Sequence, residues 1–327
     1  MTSPTVHIFT ESGEGIGYGH LARMEVVAEE LRRRGLRCRK MTDHRGASSA
    51  PLLEGWETCE WRDGTLGSDG GGGAAIVDSY LAGVEVYETI ARRFSPVLAI
   101  DDYGRLDYPA DLVVNPNPSF AETGRAGWTG GVEFVLLRKE IRAGGPRSVK
   151  PSRKVEKTTI TLGGSDPHGL LPEVLSEASK WTGEIAVIAG TDARKSEIET
   201  RFPALSGNVY GALSAGGMRE RFVESDLVVS ACGQTLHELA YLRVPTVGFC
   251  VGEDQSLNQK FYFDRGFLGS LIDRRDPDWK AMLAAERERM KEQAYRTDHL
   301  AAVEGLIDGR GAERLVDRLE SCFGKAD

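Results

Sequence analysis

The sequence predicts an α/β protein built as two halves, each a series of short strands alternating with helices. Three observations predict it. Short apolar runs recur through both halves and alternate with segments of helical spacing. Residues 142–157, rich in Gly, Pro and basic residues and without periodicity, interrupt that alternation, which then restarts. A length of 327 residues suffices for two cores. We therefore expect domains at 1–145 and 158–327, a linker at 146–157, and a ligand crevice between facing strand ends.

Thr5 to Thr10 reads as the first strand. A loop with Gly13, Gly15, Gly17 and Gly19 follows, then a helix from Leu21 to Arg34. Leu21, Met24, Val27, Ala28 and Leu31 share one helical face, and Gly35 ends it. The glycine spacing matches neither G-x-G-x-x-G nor a P-loop, since no Lys-Ser/Thr follows. His20 stands at the helix start, where the dipole disfavours its protonated form. It can face the crevice as a reactive imidazole or face solvent as a cap.

Leu36 to Met41 is the next expected strand, and Ser68 to Gly73 reads as a solvent loop. Ala74 to Val77 ends in Asp78-Ser79-Tyr80, a helix runs from about Val84 to Arg93, and Pro96 to Ile100 ends in Asp101-Asp102-Tyr103. Acid and tyrosine side chains thus converge on the rim where His20 lies. Asp111 to Val114 is a further run, stopped by Asn115-Pro116-Asn117-Pro118.

In the second half, Thr158 to Leu162 opens into Gly163-Gly164-Ser165-Asp166-Pro167, with Asp166 as expected N-cap and Pro167 at the first helical position. Strands follow at Glu184 to Ala189, Asn208 to Tyr210, Leu227 to Ser230, Val244 to Cys250 and about Leu268 to Ile272. Between Leu227 and Cys250 the pattern is strand, tight turn at Cys232-Gly233, helix from Gln234 or Thr235, strand. Backbone N–H groups at that helix start favour an anion, most often a phosphate. Glu238, one turn in, could accept from both hydroxyls of an adjoining ribose, but Thr235-x-x-Glu238 is also a capping box. Residues 278–323 read as mostly helical, with Leu306, Ile307, Leu315, Val316 and Leu319 suited to packing on a domain surface.

Composition bounds the partners. Hydrophobic residues make up 40% and charged residues 28%, ordinary for a soluble globular chain. A net charge of -8 argues against nucleic-acid binding through bulk charge. Five cysteines, odd in number and without a C-x-x-C pair, suit a reducing compartment and give no support to zinc. No signal peptide is evident and no stretch reaches about 18 apolar residues. A cytoplasmic protein without stable membrane insertion is expected.

Gly15-Ile16-Gly17-Tyr18-Gly19-His20-Leu21-Ala22-Arg23 resembles the G-x-G-H-x-x-R signature of the PseG/SpsG family. That family comprises the UDP-2,4-diacetamido-2,4,6-trideoxy-β-L-altropyranose hydrolases of pseudaminic acid biosynthesis and the related spore-coat polysaccharide proteins. Val77 to Tyr80, Ile100 to Asp102, Asp111 to Asn115, Leu136 to Glu140, Leu162 to Asp166, Gly233 to Glu238, Asn258-Gln259 and Asp308 to Arg314 are similar to its other blocks, in the same order. Ser79 stands where the hydrolases often have histidine, and Gln234 where serine is common. The resemblance implies a GT-B fold, two Rossmann-like domains akin to MurG, with UDP held mainly by the C-terminal one. It implies His20 as the catalytic residue activating water for inverting C–O cleavage, and Gly17, Tyr80, Asn258 and Gln259 at the sugar. UDP falls to Gly163, Gly164, Gly233, Gln234, Thr235 and Glu238, with no cofactor and no metal.

The expected function is therefore a UDP-sugar hydrolase. An unperturbed histidine pKa of about 6.5 suits the base. An inverting UDP-sugar glycosyltransferase, with the same base acting on an acceptor hydroxyl, is the nearest alternative, and a non-catalytic nucleotide-sugar binding protein is a third.

Overall fold

The computed structural model describes residues 4–13, 16–46, 53–64, 66, 72–120, 125–148, 150–164, 166 and 168–323. The chain divides into two compact units, Met1–Arg138 with Gly309–Asp327, and Lys139–Asp308.

The first unit is a seven-stranded parallel sheet with helices on both faces. Its elements in chain order are β1 Thr5–Gly13, α1 Gly19–Arg33, β2 Arg37–Arg45, β3 Glu57–Thr58, β4 Ala74–Asp78, α2 Val84–Ala91, β5 Val97–Ile100, β6 Leu112–Asn115 and β7 Trp128–Gly130. Strand order is β3-β2-β1-β4-β5-β6-β7. Successive strand side chains point to opposite faces. Val6, Ile8, Ile76, Leu98 and Ile100 accordingly join Leu21, Met24, Ala28 and Leu31 of α1 in one core. Phe9, Ala75, Val77, Val97 and Ala99 join Val86, Tyr87 and Ile90 of α2 in the other. Burial on both faces explains why these strands read as continuous apolar runs rather than alternating ones. The two-residue β3 and the edge strand β7 lack such runs, and the sequence does not announce them.

The second unit contains α3 Lys139–Arg142, β8 Lys157–Thr161, α4 Leu171–Ala178, β9 Glu184–Ile188, α5 Asp192–Arg201, β10 Val209–Tyr210, α6 Ala215–Glu224, β11 Leu227–Ala231, α7 Gln234–Leu242, β12 Thr246–Cys250, α8 Ser256–Asp264, β13 Ile272–Asp273, α9 Trp279–Arg289 and α10 Gln293–Ala301. Its six strands run in the order β10-β9-β8-β11-β12-β13, all neighbours parallel. Ile160, Val187, Val229, Val247 and Phe249 pack with Leu171, Val174, Ile198, Trp279 and Leu283.

Three details depart from the sequence expectation. The last helix, α11 Gly311–Glu320, belongs to the first unit, where Ala312, Leu315, Val316 and Leu319 complete the α1 core. Arg34 staples it there, donating to Asp317, Glu320 and the Glu313 carbonyl. Gly311 is required by this docking, since a Cβ would lie 2.2 Å from the Val135 carbonyl oxygen. Amphipathicity announces an apolar face but not the sheet that receives it. Second, the expected linker at 146–157 is tied to the second unit. Asp226 accepts the Glu156 and Lys157 N–H groups at 2.9 Å each and the Ser152 hydroxyl at 2.6 Å. Third, α4 begins at Leu171, not after Asp166. The Asp166 carboxylate still serves the helix start, accepting from the Leu170 and Leu171 N–H groups at 2.9 and 3.0 Å. Gly15, Ser68 to Gly71, Ser165 and Pro167 lie outside the described residues.

Candidate active site

In each sheet the chain builds outward from one central strand and then returns to its other side, so strand order reverses between β1 and β4 and between β8 and β11. Loops leaving such strands at their carboxyl ends splay apart and leave room for a ligand. Most of the residues expected to act follow the strands at these two reversals, whereas Asn258 and Gln259 follow β12, on α8.

In the first unit β1 ends at Gly13, which exchanges two backbone hydrogen bonds with Gly17, at 3.0 and 2.7 Å. Gly17 lies just before α1, which carries His20 in its first turn, 5% exposed. His20 Nδ1 lies 2.8 Å from Asp78 Oδ1, at the end of β4. Arg23, one turn on along the same helix face, donates Nε to Asp78 Oδ2 at 2.7 Å and Nη2 to Oδ1 at 2.5 Å. Its Nη1 reaches both Asp102 oxygens, at 3.0 and 2.7 Å. Tyr80 donates its hydroxyl to Asp102, and its ring stands edge-on to the imidazole, centroids 4.2 Å apart. Glu11, at the end of β1, accepts from the Ser79 hydroxyl at 2.5 Å and the Tyr80 N–H at 2.7 Å. Asp101 accepts the Arg105 N–H and the Tyr108 hydroxyl and shapes the neighbouring loop. The two adjacent aspartates thus divide into a loop organiser and a member of the His20 cluster.

Asp78 is fully buried. Burial alone would raise its pKa, but the charges of Arg23 and then His20, with their hydrogen bonds, outweigh it and hold the carboxyl well below the usual range. An ionised carboxylate only accepts, so the imidazole proton sits on Nδ1. The Nε2 lone pair makes no hydrogen bond among the described residues. Burial, and then the Asp102 charge, push the Tyr80 phenol far above its ordinary value, so it stays protonated. Two carboxylates, Asp78 and Asp102, thus meet the Arg23 guanidinium, and Asp78 also meets the imidazole, while Glu11 holds the Ser79-Tyr80 turn beside them.

In the second unit Gly233 occupies the N-cap of α7 with no side-chain cap. Thr235 and Glu238 therefore sit within the helix, and the capping box does not form. Glu238 is fully buried. Gln255 Oε1 accepts the Cys232 N–H at 3.0 Å, and Asn258 Nδ2 donates to the Cys232 carbonyl at 3.3 Å, so both amides hold the turn. Asn258 Oδ1 is buried without a hydrogen-bond partner. Gln259, expected at the sugar, is 4% exposed and donates to the carbonyls of Gly248 and Ile272, at 3.4 and 2.8 Å. Its amide joins the middle of β12 to the start of β13. The Gly163-Gly164 turn leaves β8, the strand next to β11, and Gly190 after β9 packs directly under it.

No protein-family model matches this chain, and no curated protein matches it in sequence. Solved structures do match in fold. MurG from Acinetobacter baumannii is 14% identical over 97% of this chain and 100% of its own, with a TM-score of 0.64. The calicheamicin glycosyltransferase CalG4 is 14% identical over the whole of both chains, at 0.63. A putative UDP-N-acetylglucosamine 2-epimerase from Listeria monocytogenes is 11% identical over 100% of this chain and 98% of its own, at 0.66.

The fold is GT-B. Within this GT-B chain, His20, Gly17 and Tyr80 come together in the first unit, and Gly233, Gln234, Thr235 and Asn258 in the second. Glu11 and Gly190 are additions from the structure, which also supplies the contacts of Asp78, Arg23 and Asp102. Arg23 carried a signal, since it follows His20 by three residues on one helix face. Asp78 carried another as the acid at a strand end. Gly190 carried none.

The first-unit cluster can accept one proton at Nε2 while Asp78 holds the imidazolium that results. It can also stabilise positive charge developing on a substrate. No helix among the described residues is long and apolar enough to cross a membrane.

Proposed function

We propose that this protein is a nucleotide-sugar hydrolase of the PseG/SpsG type. It would cleave the anomeric C–O bond of a UDP-linked 2,4-diacetamido-2,4,6-trideoxyhexose in the cytoplasm, with inversion. The observation that carries the reading is the His20–Asp78 pair, with Nδ1 held at 2.8 Å and Nε2 available. Nε2 takes a proton from water as the water oxygen attacks the anomeric carbon. The bond from that carbon to the diphosphate oxygen breaks, and its electron pair leaves on UDP. The imidazolium, held by Asp78, then loses its proton to solvent. A glycosyl centre passes through an oxocarbenium-like state, and the carboxyl groups around Arg23 complement that positive charge. The turns at Gly163-Gly164 and Gly233 to Thr235 take the diphosphate, through backbone N–H groups and the α7 dipole, and Tyr80 and Asn258 meet the sugar. Nucleotide-sugar chemistry is supported by fold neighbours named as glycosyltransferases and as an epimerase of UDP-N-acetylglucosamine.

Those glycosyltransferase neighbours favour a second reading, in which the same base deprotonates an acceptor hydroxyl. The decisive assay supplies UDP-2,4-diacetamido-2,4,6-trideoxy-β-L-altropyranose without acceptor and follows products by NMR. UDP and free sugar should appear at a rate that added acceptors leave unchanged. Tight UDP binding with no release would sink the hydrolase reading.

Glu238 is assigned to the ribose hydroxyls. Glu238→Gln should weaken UDP binding by about 1–3 kcal/mol in a calorimetric titration. Unchanged affinity with a lowered melting temperature would make Glu238 a core residue only.

A further inference from the structure

Among the described residues, five large apolar side chains are more than a third exposed: Leu81, Tyr103, Leu257, Phe263 and Leu271. Leu81 and Tyr103, 46% and 41% exposed, directly follow Tyr80 and Asp102, so both flank the His20 cluster. Their loops are firmly built. The Leu81 and Ala82 N–H groups donate to the Ser79 hydroxyl at 3.1 and 2.9 Å. Asp101 gathers the loop that carries Tyr103, accepting from the Gly104 and Arg105 N–H groups. Arg105 Nη2 then ties the two loops together, donating to the carbonyls of Ser79 and Ala82 at 3.2 and 2.8 Å. The Tyr103 ring lies 5.3 Å from that of Tyr80, with the hydroxyls 3.4 Å apart. An aromatic and an aliphatic side chain are thus held in water beside a charged cluster, where their exposure contributes nothing to folding.

The geometry points to Tyr103, with Leu81, as a specificity platform that receives the apolar edge of a 6-deoxy, N-acylated sugar. This rests on the nucleotide-sugar reading of the same site. The C–H face and C6 methyl of such a sugar pack against an aromatic face without losing polar contacts. A C6 hydroxyl placed there would give up water against apolar side chains. The platform therefore favours a sugar with an apolar C6 edge, such as the trideoxy sugar, over N-acetylglucosamine, whose C6 carries a hydroxyl.

The test is calorimetric, in the full chain carrying His20→Asn so that no substrate is consumed. The probes are UDP, UDP-N-acetylglucosamine and UDP-2,4-diacetamido-2,4,6-trideoxy-β-L-altropyranose. Adding Tyr103→Ala should lower affinity for the trideoxy sugar nucleotide about tenfold, leave UDP alone unchanged and shrink the preference over UDP-N-acetylglucosamine. Tyr103→Phe should recover most of the loss, because the ring supplies the contact. An Ala variant that keeps the preference or loses UDP affinity in parallel would overturn the proposal, as would a Phe variant as weak as Ala. Both positions are exposed, so folding should be unaffected, and a melting curve checks this. Unmutated protein that releases no UDP, beside an intact Tyr103 effect in the titrations, would refute the hydrolase reading and leave the platform standing.

Discussion

His20→Asn is expected to remove turnover while leaving UDP affinity within a few-fold, because the base and the proposed diphosphate turns belong to different units. Asp78→Asn should lower kcat by about three to four orders of magnitude for a different reason. Asp78 now accepts from His20 Nδ1 and, through both oxygens, from Arg23. An asparagine has one acceptor oxygen. If its oxygen faces Arg23 Nε, its NH2 faces Nδ1 and forces the tautomer with the proton on Nε2, which cannot act as a base. If its oxygen faces Nδ1, the NH2 opposes the Arg23 Nε–H. The same change leaves Arg23 short of one buried partner and should cost about 3–5 kcal/mol of stability. The pH dependence has a definite sign. The Asp78 carboxyl is depressed in the folded state, so its stabilisation is fully present above the unfolded pKa of about 3.9 and is lost as pH falls below it. Melting curves between neutral pH and about pH 3 should therefore drop more steeply for the unmutated protein than for Asp78→Asn. Unchanged kcat and melting in the variant would remove Asp78 from the mechanism.

Gly190→Ala should disable the second unit. Gly190 has φ +82°, and a Cβ there would lie 2.8 Å from both the Cα and the carbonyl oxygen of Gly164, and 3.1 Å from the Gly163 oxygen. All three contacts are backbone, so no side chain can swing aside. A left-handed alanine costs about 1–2 kcal/mol, and overpacking adds about 1–3 kcal/mol. The least costly relief moves the Gly163-Gly164 turn, which the proposed function assigns to the diphosphate. We expect a lowered melting temperature and UDP affinity reduced about tenfold or more, with the His20 cluster in the other unit intact. Normal UDP binding by calorimetry would mean that this turn does not hold the diphosphate.

Much of this molecule can be read residue by residue along the chain. Apolar runs such as Ala74 to Val77 and Leu227 to Ser230 announced buried strands, because a strand covered on both faces needs apolar residues at successive positions. His20 at a helix start and Gly233 at a strand-to-helix turn were legible as candidate groups, because both signals are contained in a few consecutive residues. The helical face of Leu315, Val316 and Leu319 was equally legible. Its destination was not, since the sheet that receives it lies across the chain at α1 and β6. Thr235-x-x-Glu238 fits a capping box by spacing, yet the structure takes the earlier of the two expected starts, Gln234, and makes Gly233 the cap, two residues before Thr235. Gln259 sits in a block similar to the family's, yet its buried amide joins two adjacent strands.

Periodicity along the chain carries the α/β class and the alternation in two halves, and a short motif marks His20 as a candidate. The partners of these side chains come from strand order. Asp78 reaches His20 because β4 lies beside β1, Gly190 meets Gly164 because β9 lies beside β8, and α11 returns to the first unit because that core has a face to fill. Periodicity is a local property of the backbone, whereas a side chain's partner depends on strand order, which no short stretch of sequence encodes.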